Sequence, residues 1–225
     1  MAKKLLRIRP IIFFGHEGPM VAEVTIVAKE LSLPHILQPI TAAEAALARI
    51  RQPPLMYDPN GELYLAEPHA IVSYLVATYD DYLKISFRRD NDWFFLSDEW
   101  HSFQVNLMAI TRFWDQMKPP QNGVVSLYFH REVRRGLMRL NEVLVKNLRD
   151  VLYMDDGKTP VRNGPWVVGN KMSFVDLGVC CWIYHLNSTS PEPVHSRWPL
   201  VSEWFDRVLS RGEVRTTFTL LMPRQ

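Results

Sequence analysis

The chain changes period once, and that change limits its fold more than any other feature. Over the first third, short strand-like runs alternate with helical stretches; from about Asn91 onward strand signals vanish and large apolar residues recur only at helical spacing. Ile8 to Gly15 is a run of branched and aromatic residues ending in glycine, which predicts a buried strand. After Gly18-Pro19, apolar residues at Val21, Val24, Ala28 and Leu31 mark one helical face, with Pro19 in the first turn and Pro34 closing the segment. His35 to Pro39 reads as a second strand, and the alanine-rich stretch from Thr41 to Arg49 as a helix. Leu55–Asp58 and Glu62–Leu65 read as a hairpin turned by Pro59-Asn60-Gly61, with the glycine expected at positive φ. Ala70, Ile71, Tyr74 and Leu75 mark a third helix.

In the remainder, Trp93, Leu96, Trp100, Phe103 and Leu107 follow a long helix, and a second runs roughly from Leu127 to Leu148. Gly157, Pro160, Gly164 and Pro165 place a surface loop between Asp155 and Pro165. Ser173 followed by Asp176, with Met172 before and Leu177 after, spells a capping box with a hydrophobic staple and predicts a helix start there.

Charge narrows the partners. Lys plus Arg number 26 against 24 Asp plus Glu, a formal +2, too balanced for the basic field of a nucleic-acid binder. The apolar run Ile11 to Phe14 is too short for a signal peptide, and no run approaches membrane-spanning length. The only cysteines are the neighbours Cys180 and Cys181, in an apolar helix-like stretch where an ordinary disulfide geometry is hard to reach. A cytoplasmic protein with small molecules or proteins as partners, and without nucleic acid, membrane or metal, is the expectation.

The strand-helix order and several strings resemble fungal glutathione transferases. Gly18-Pro19 up to Glu30-Leu31-Ser32-Leu33-Pro34 is similar to their glycine-proline opening and "EELGLP" helix end, and Pro53-Pro54-Leu55-Met56-Tyr57-Asp58 to "RVPALxD". Glu67-Pro68-His69-Ala70-Ile71-Val72-Ser73-Tyr74-Leu75 resembles "ESxAIxxYL". Trp166 to Leu177 resembles "WLxGxxxSxAD", and Trp198-Pro199 to Trp204-Phe205 "YPxxxxWxxR". The resemblance spans nearly the whole chain. It implies a thioredoxin-like glutathione-binding domain over 1–84 and an all-helical substrate domain over 85–225, commonly paired as a homodimer.

The resemblance also assigns residues. Pro54 becomes the cis-proline beside which glutathione lies, and Glu67 the acid that holds its γ-glutamyl end. Met20, Gln52, Pro53, Pro68 and His69 complete the glutathione-contacting set. Two positions depart from the family. Pro53 has no N–H to pair with the tripeptide, and Pro68 replaces a serine. Losing those bonds costs about 2 to 4 kcal/mol where nothing compensates, so weak or reshaped glutathione binding is expected. The family's thiol-activating Tyr, Ser or Cys is missing after the first strand, and Met20 stands where fungal relatives often carry asparagine. His16 is the remaining donor there and the candidate activator, with a surface-loop histidine as the alternative. His101, Gln104, Met108 and Phe113 are candidate walls of the substrate pocket, with core packing as the alternative for residues at helical spacing.

The resemblance implies an enzyme that uses glutathione on a small hydrophobic electrophile in fungal secondary metabolism. Either conjugation or cis–trans isomerisation of a conjugated alkene fits. A non-catalytic ligand carrier or regulator on the same scaffold is the alternative, favoured by Met20, Pro53 and Pro68. His130, Glu132, Arg134 and Arg135 read as a solvated or salt-bridged helix face, and the cysteine pair as packing.

Overall fold

In the computed structural model, residues 8–40, 53–117, 123–154, 164–189 and 193–222 are described. The expected helix over 41–49, Gln52, and most of the expected 155–165 loop lie outside them.

Four strands form one sheet in the order β2-β1-β3-β4. They are β1 (Ile11–Phe14), β2 (His35–Gln38), β3 (Leu55–Asp58) and β4 (Leu63–Ala66). β1 runs parallel to β2 and antiparallel to β3, and β3 and β4 form the hairpin. Parallel pairing of β1 with β2 requires a crossover, which α1 (Pro19–Glu30) supplies. Helix α2 (Pro68–Tyr79) follows the hairpin.

The turn corrects one expectation. Positive φ falls on Glu62, at 54°, not on Gly61. Glycine at 61 leaves room for the Tyr74 hydroxyl, which a Cβ there would approach to 3.0 Å. Asp58 organises the turn: its Oδ1 accepts from the Asn60 amide at 2.8 Å, and its Oδ2 from Tyr74 at 2.6 Å and from Tyr79.

The remainder is helical: α3 (Asp92–Met117), α4 (Val124–Met154), α5 (Phe174–Thr189), α6 (Pro199–Leu209) and α7 (Gly212–Leu221). Both long helices outrun the spans read from the sequence, since end residues such as Met117 and Val124 are exposed and burial periodicity does not mark them. α1 is the seam between the halves, buried on nearly every face and packed against α2, α5 and α7. At its C-terminal end Glu30 takes a bidentate bond from Arg211, at 2.8 and 2.7 Å.

The capping box forms with altered roles. The Ser173 amide donates to Asp176 Oδ2 at 2.8 Å as expected, but the Ser173 hydroxyl donates to the same oxygen at 3.1 Å. Asp176 Oδ1 accepts from the Val167 amide at 3.0 Å and from Trp204 Nε1 at 2.8 Å, joining α5 to α6. Cys180 and Cys181 are buried core residues with free thiols, which burial pushes well above their usual range. Among the described residues no helix is long and apolar enough to cross a membrane.

Candidate functional site

One end of the sheet gathers the residues singled out by the sequence. Phe14 stands opposite Leu55, and Leu55 opposite Ala66, so Gly15, Pro54 and Glu67, the next residue beyond that end of each strand, gather at one end of the sheet. The Pro53-Pro54 bond is cis, as the resemblance implies, and Pro54 is buried. Gly15 lets the first turn of α1 fold back onto β1, because a Cβ there would meet Val21 Cγ2 at 2.8 Å. The Gly18 amide is held by the carbonyl of Leu221 at 2.8 Å, which ties the β1–α1 loop to α7.

Glu67 is exposed, with φ at 70° at the head of α2. Ile71 is the first amide of that helix to bond back, to the Glu67 carbonyl at 3.0 Å. The amides of His69 and Ala70 thus have no intrahelical acceptor, and together with the helix dipole they make a favourable seat for an anion.

A cavity of about 220 Å³ opens beside this sheet end, lined by His16, Glu17, Gly18, Pro19, Met20, Val21, Pro53 and Arg112. His16 lies on its exposed rim. Arg112 reaches in from α3 and places Nη1 3.1 Å from the sulfur of Met20. Sequence reasoning missed this residue. A signal was available, because 101, 104, 108 and 112 follow one another at helical spacing; extending the expected wall by one turn reaches it.

The other expected wall residues depart from their assignment. His101 and Gln104 are buried at the seam, where His101 Nε2 lies 3.0 Å from Glu23 Oε1 and Gln104 Nε2 donates to Glu23 Oε2 at 3.4 Å. A buried carboxylate needs polar partners, and that need draws these side chains inward. Met108 is buried in the core, 1% exposed. The His69 ring packs on His101 at 4.4 Å between centroids, and its Nε2 lies 3.3 Å from Asp98 Oδ1. Nδ1 of both rings and Oε1 of Gln104 are buried without a hydrogen-bond partner among the described residues. His69 resists protonation, chiefly through burial and then through His101.

Phe113 is half exposed on a second surface, a groove of about 520 Å³ between the end of α3 and the start of α4. Ile110, Trp114, Val125, Tyr128 and Phe129 are among its walls, and the rings of Trp114 and Phe129 stack at 4.4 Å and 8°. The groove is lined by apolar and aromatic side chains, so it suits an apolar or aromatic molecule. On α4, Glu132 takes Arg135 at 2.8 Å, and the Arg135 guanidinium covers the Phe103 ring at 5.0 Å, so this face is salt-bridged and packed.

A family profile for the glutathione S-transferase C-terminal domain matches residues 130–212. The glutathione S-transferase-like protein gedE of Aspergillus terreus is 30% identical over 237 residues, covering 96% of this chain and 98% of that protein. The glutathione S-transferase-like protein tpcF of Aspergillus fumigatus is 30% identical over 240 residues, with the same coverage of both. Among solved structures, a glutathione transferase homolog from Lodderomyces elongisporus with two GSH per subunit superposes with a TM-score of 0.79 at 21% identity, covering 95% of this chain and 99% of that one. Ure2p in complex with glutathione gives 0.78 at 18% identity, covering 94% and 95%.

Proposed function

The chain belongs to the glutathione S-transferase family, and from that premise we propose that it is an enzyme that uses glutathione on a small hydrophobic electrophile. The observation that carries this reading is the alignment of Gly15, Pro54 and Glu67 at one sheet end beside the cavity. An extended tripeptide fits along that edge. Its γ-glutamyl end is then held by the Glu67 carboxylate and the free amides of His69 and Ala70, and its cysteinyl unit by the Pro53 carbonyl. The division into a glutathione domain and a helical domain is placed at 84/85, in the linker whose turn Asp80 holds through the amides of Lys84 and Ile85.

The chemistry requires a thiolate. A thiol of ordinary pKa ~8.5 is only a few per cent ionised at neutral pH, and lowering it by two units takes about 2.7 kcal/mol, whereas a helix terminus typically gives up to about 1. His16 is the only titratable donor of the β1–α1 loop and is assigned as a rim contact to the thiol. The apolar groove at Phe113 supplies a surface for the electrophile. Attack on carbon followed by loss of a leaving group gives conjugation; addition to a conjugated alkene, rotation and elimination gives isomerisation. Two fungal relatives cover nearly the full length, and a role in fungal secondary metabolism is part of the proposed reading. A cytoplasmic homodimer is part of the same reading.

A second reading, a non-catalytic carrier, is favoured by the absence of any hydroxyl or thiol side chain among the residues lining the cavity. Calorimetric titration with reduced glutathione and with S-methyl glutathione tests the common premise. Saturable binding of both supports a glutathione site, and thiol consumption with an activated alkene or aryl halide then separates enzyme from carrier. No binding at millimolar ligand would remove the transferase and isomerase readings together.

A further inference from the structure

The cavity is lined by a cation that has no ion pair among the described residues. Arg112 lines it, and among the described residues its hydrogen-bond partner is the thioether of Met20, a weak acceptor. It forms no ion pair within 4.0 Å with any described carboxylate. Among the described residues, the charged and titratable groups around it are few. His16 and Glu17 face the cavity from the β1–α1 loop, Pro53 brings none, and Asp115, almost one turn further along α3, is taken by His185 at 2.7 Å. A guanidinium so placed has donors to spare and is aimed at a sulfur position. Sulfur is also what the site must bind if glutathione occupies the adjoining sheet end.

We infer that Arg112 binds the glutathione sulfur as a thiolate, its guanidinium exchanging the Met20 thioether for the incoming sulfur. The inference rests on the glutathione reading and assigns the thiol partner that the β1–α1 loop lacks. Arginine stays protonated at every relevant pH, so it acts as an electrostatic partner and not as an acid or base. The thiol proton leaves to water. The sulfur lone pair then forms the S–C bond to the electrophilic carbon, and the displaced pair departs with the leaving group or moves into the conjugated carbonyl. Opposite charge at contact distance favours the ionised form of the thiol. His16 sits on the exposed rim, where water screens it, and suits this part less well.

An anionic ligand offers Arg112 either its thiolate or a carboxylate, and S-methyl glutathione separates the two because it keeps every carboxylate and has no ionisable thiol. The experiment compares the full-length protein with Arg112→Gln and Arg112→Lys. Each is titrated with both ligands, and the thiolate absorbance of bound glutathione is followed against pH. In the wild type the bound thiol should ionise about two pH units below its free value, a shift of roughly 100-fold in the thiolate-to-thiol ratio. Arg112→Gln should return at least tenfold of that while S-methyl glutathione binds as before, which also shows the variant folded. Arg112→Lys should keep most of the shift.

An unchanged ionisation midpoint in Arg112→Gln overturns the inference. So does equal weakening of both ligands, which makes Arg112 a carboxylate contact. An unshifted thiol in the wild type overturns it and leaves a glutathione carrier. Failure of both ligands to bind the wild type is the separate outcome that removes the glutathione reading itself.

Discussion

His101 on α3 meets Glu23 on α1 at 3.0 Å, with each side chain only 1% exposed. Apart from His101, Glu23 has among the described residues only the long 3.4 Å bond from Gln104. Replacing His101 by Leu strands a buried carboxylate, and breaking such a pair costs about 3 to 5 kcal/mol. The double variant His101→Leu/Glu23→Gln should recover part of the loss, because the buried charge is gone. Urea unfolding of both single variants and the double measures this coupling. A loss below about 1 kcal/mol in His101→Leu would mean that water replaces the imidazole.

The neighbouring His69 makes the same seam acid-sensitive. Burial first, and then repulsion from His101, lower its pKa below the usual 6.5, with Asp98 and Glu23 pulling the other way. The folded chain therefore binds less proton at this position than the unfolded chain once the pH falls below 6.5. Stability attributable to His69 is full above that value and is lost as the pH drops through the folded value. Urea midpoints from about pH 7.5 down to about pH 5 should fall less steeply in His69→Gln than in the wild type. Parallel slopes would take His69 out of the acid response.

Both of these contacts mark the limit of what the sequence discloses. Element order was legible because burial imposes a period of two on strands and 3.6 on helices, and because Gly18-Pro19 and Pro59-Asn60-Gly61 are local signals. Positions along the sheet end were legible through the motif strings around Pro54 and Glu67. The His101–Glu23 pair joins residues 78 apart in the chain, and no local rule couples them. A histidine and a glutamine at helical spacing on α3 read as pocket walls, while the structure uses them to satisfy a carboxylate on another helix. Arg112 escaped notice because a polar residue near the end of a long helix reads as solvated until its neighbour across the seam is known.

Asp176 gathers four donors: the amides of Val167 and Ser173, the Ser173 hydroxyl and the Trp204 indole. Burial nevertheless holds its carboxyl above the usual range, so the donors do not fully offset desolvation. Asp176→Asn keeps the shape but turns an NH₂ toward one of the two donor pairs, and should cost about 3 kcal/mol. Trp204→Phe removes a single donor and should cost about 2 kcal/mol, including the lost ring volume. Equal losses would mean that the indole bond alone fastens α5 to α6. Urea unfolding of the two variants decides it.

Glu67 carries the most direct test of the site, and the substitution must respect its backbone. Its φ of 70° lies where side chains other than glycine are strained, so Glu67→Gly would relieve the backbone while removing the carboxylate, confusing two effects. Glu67→Gln keeps the shape and removes only the charge. The side chain is exposed and caps no amide of α2, so unfolding stability should be unchanged within about 0.5 kcal/mol. A charged hydrogen bond to the γ-glutamyl ammonium is worth about 1.5 to 3 kcal/mol, so the Kd for glutathione should rise by roughly 10- to 150-fold. S-methyl glutathione should weaken by the same factor, because the lost contact is remote from the sulfur. Unchanged affinity in a folded Glu67→Gln protein would place the γ-glutamyl end elsewhere and leave the free amides at the head of α2 to another anion.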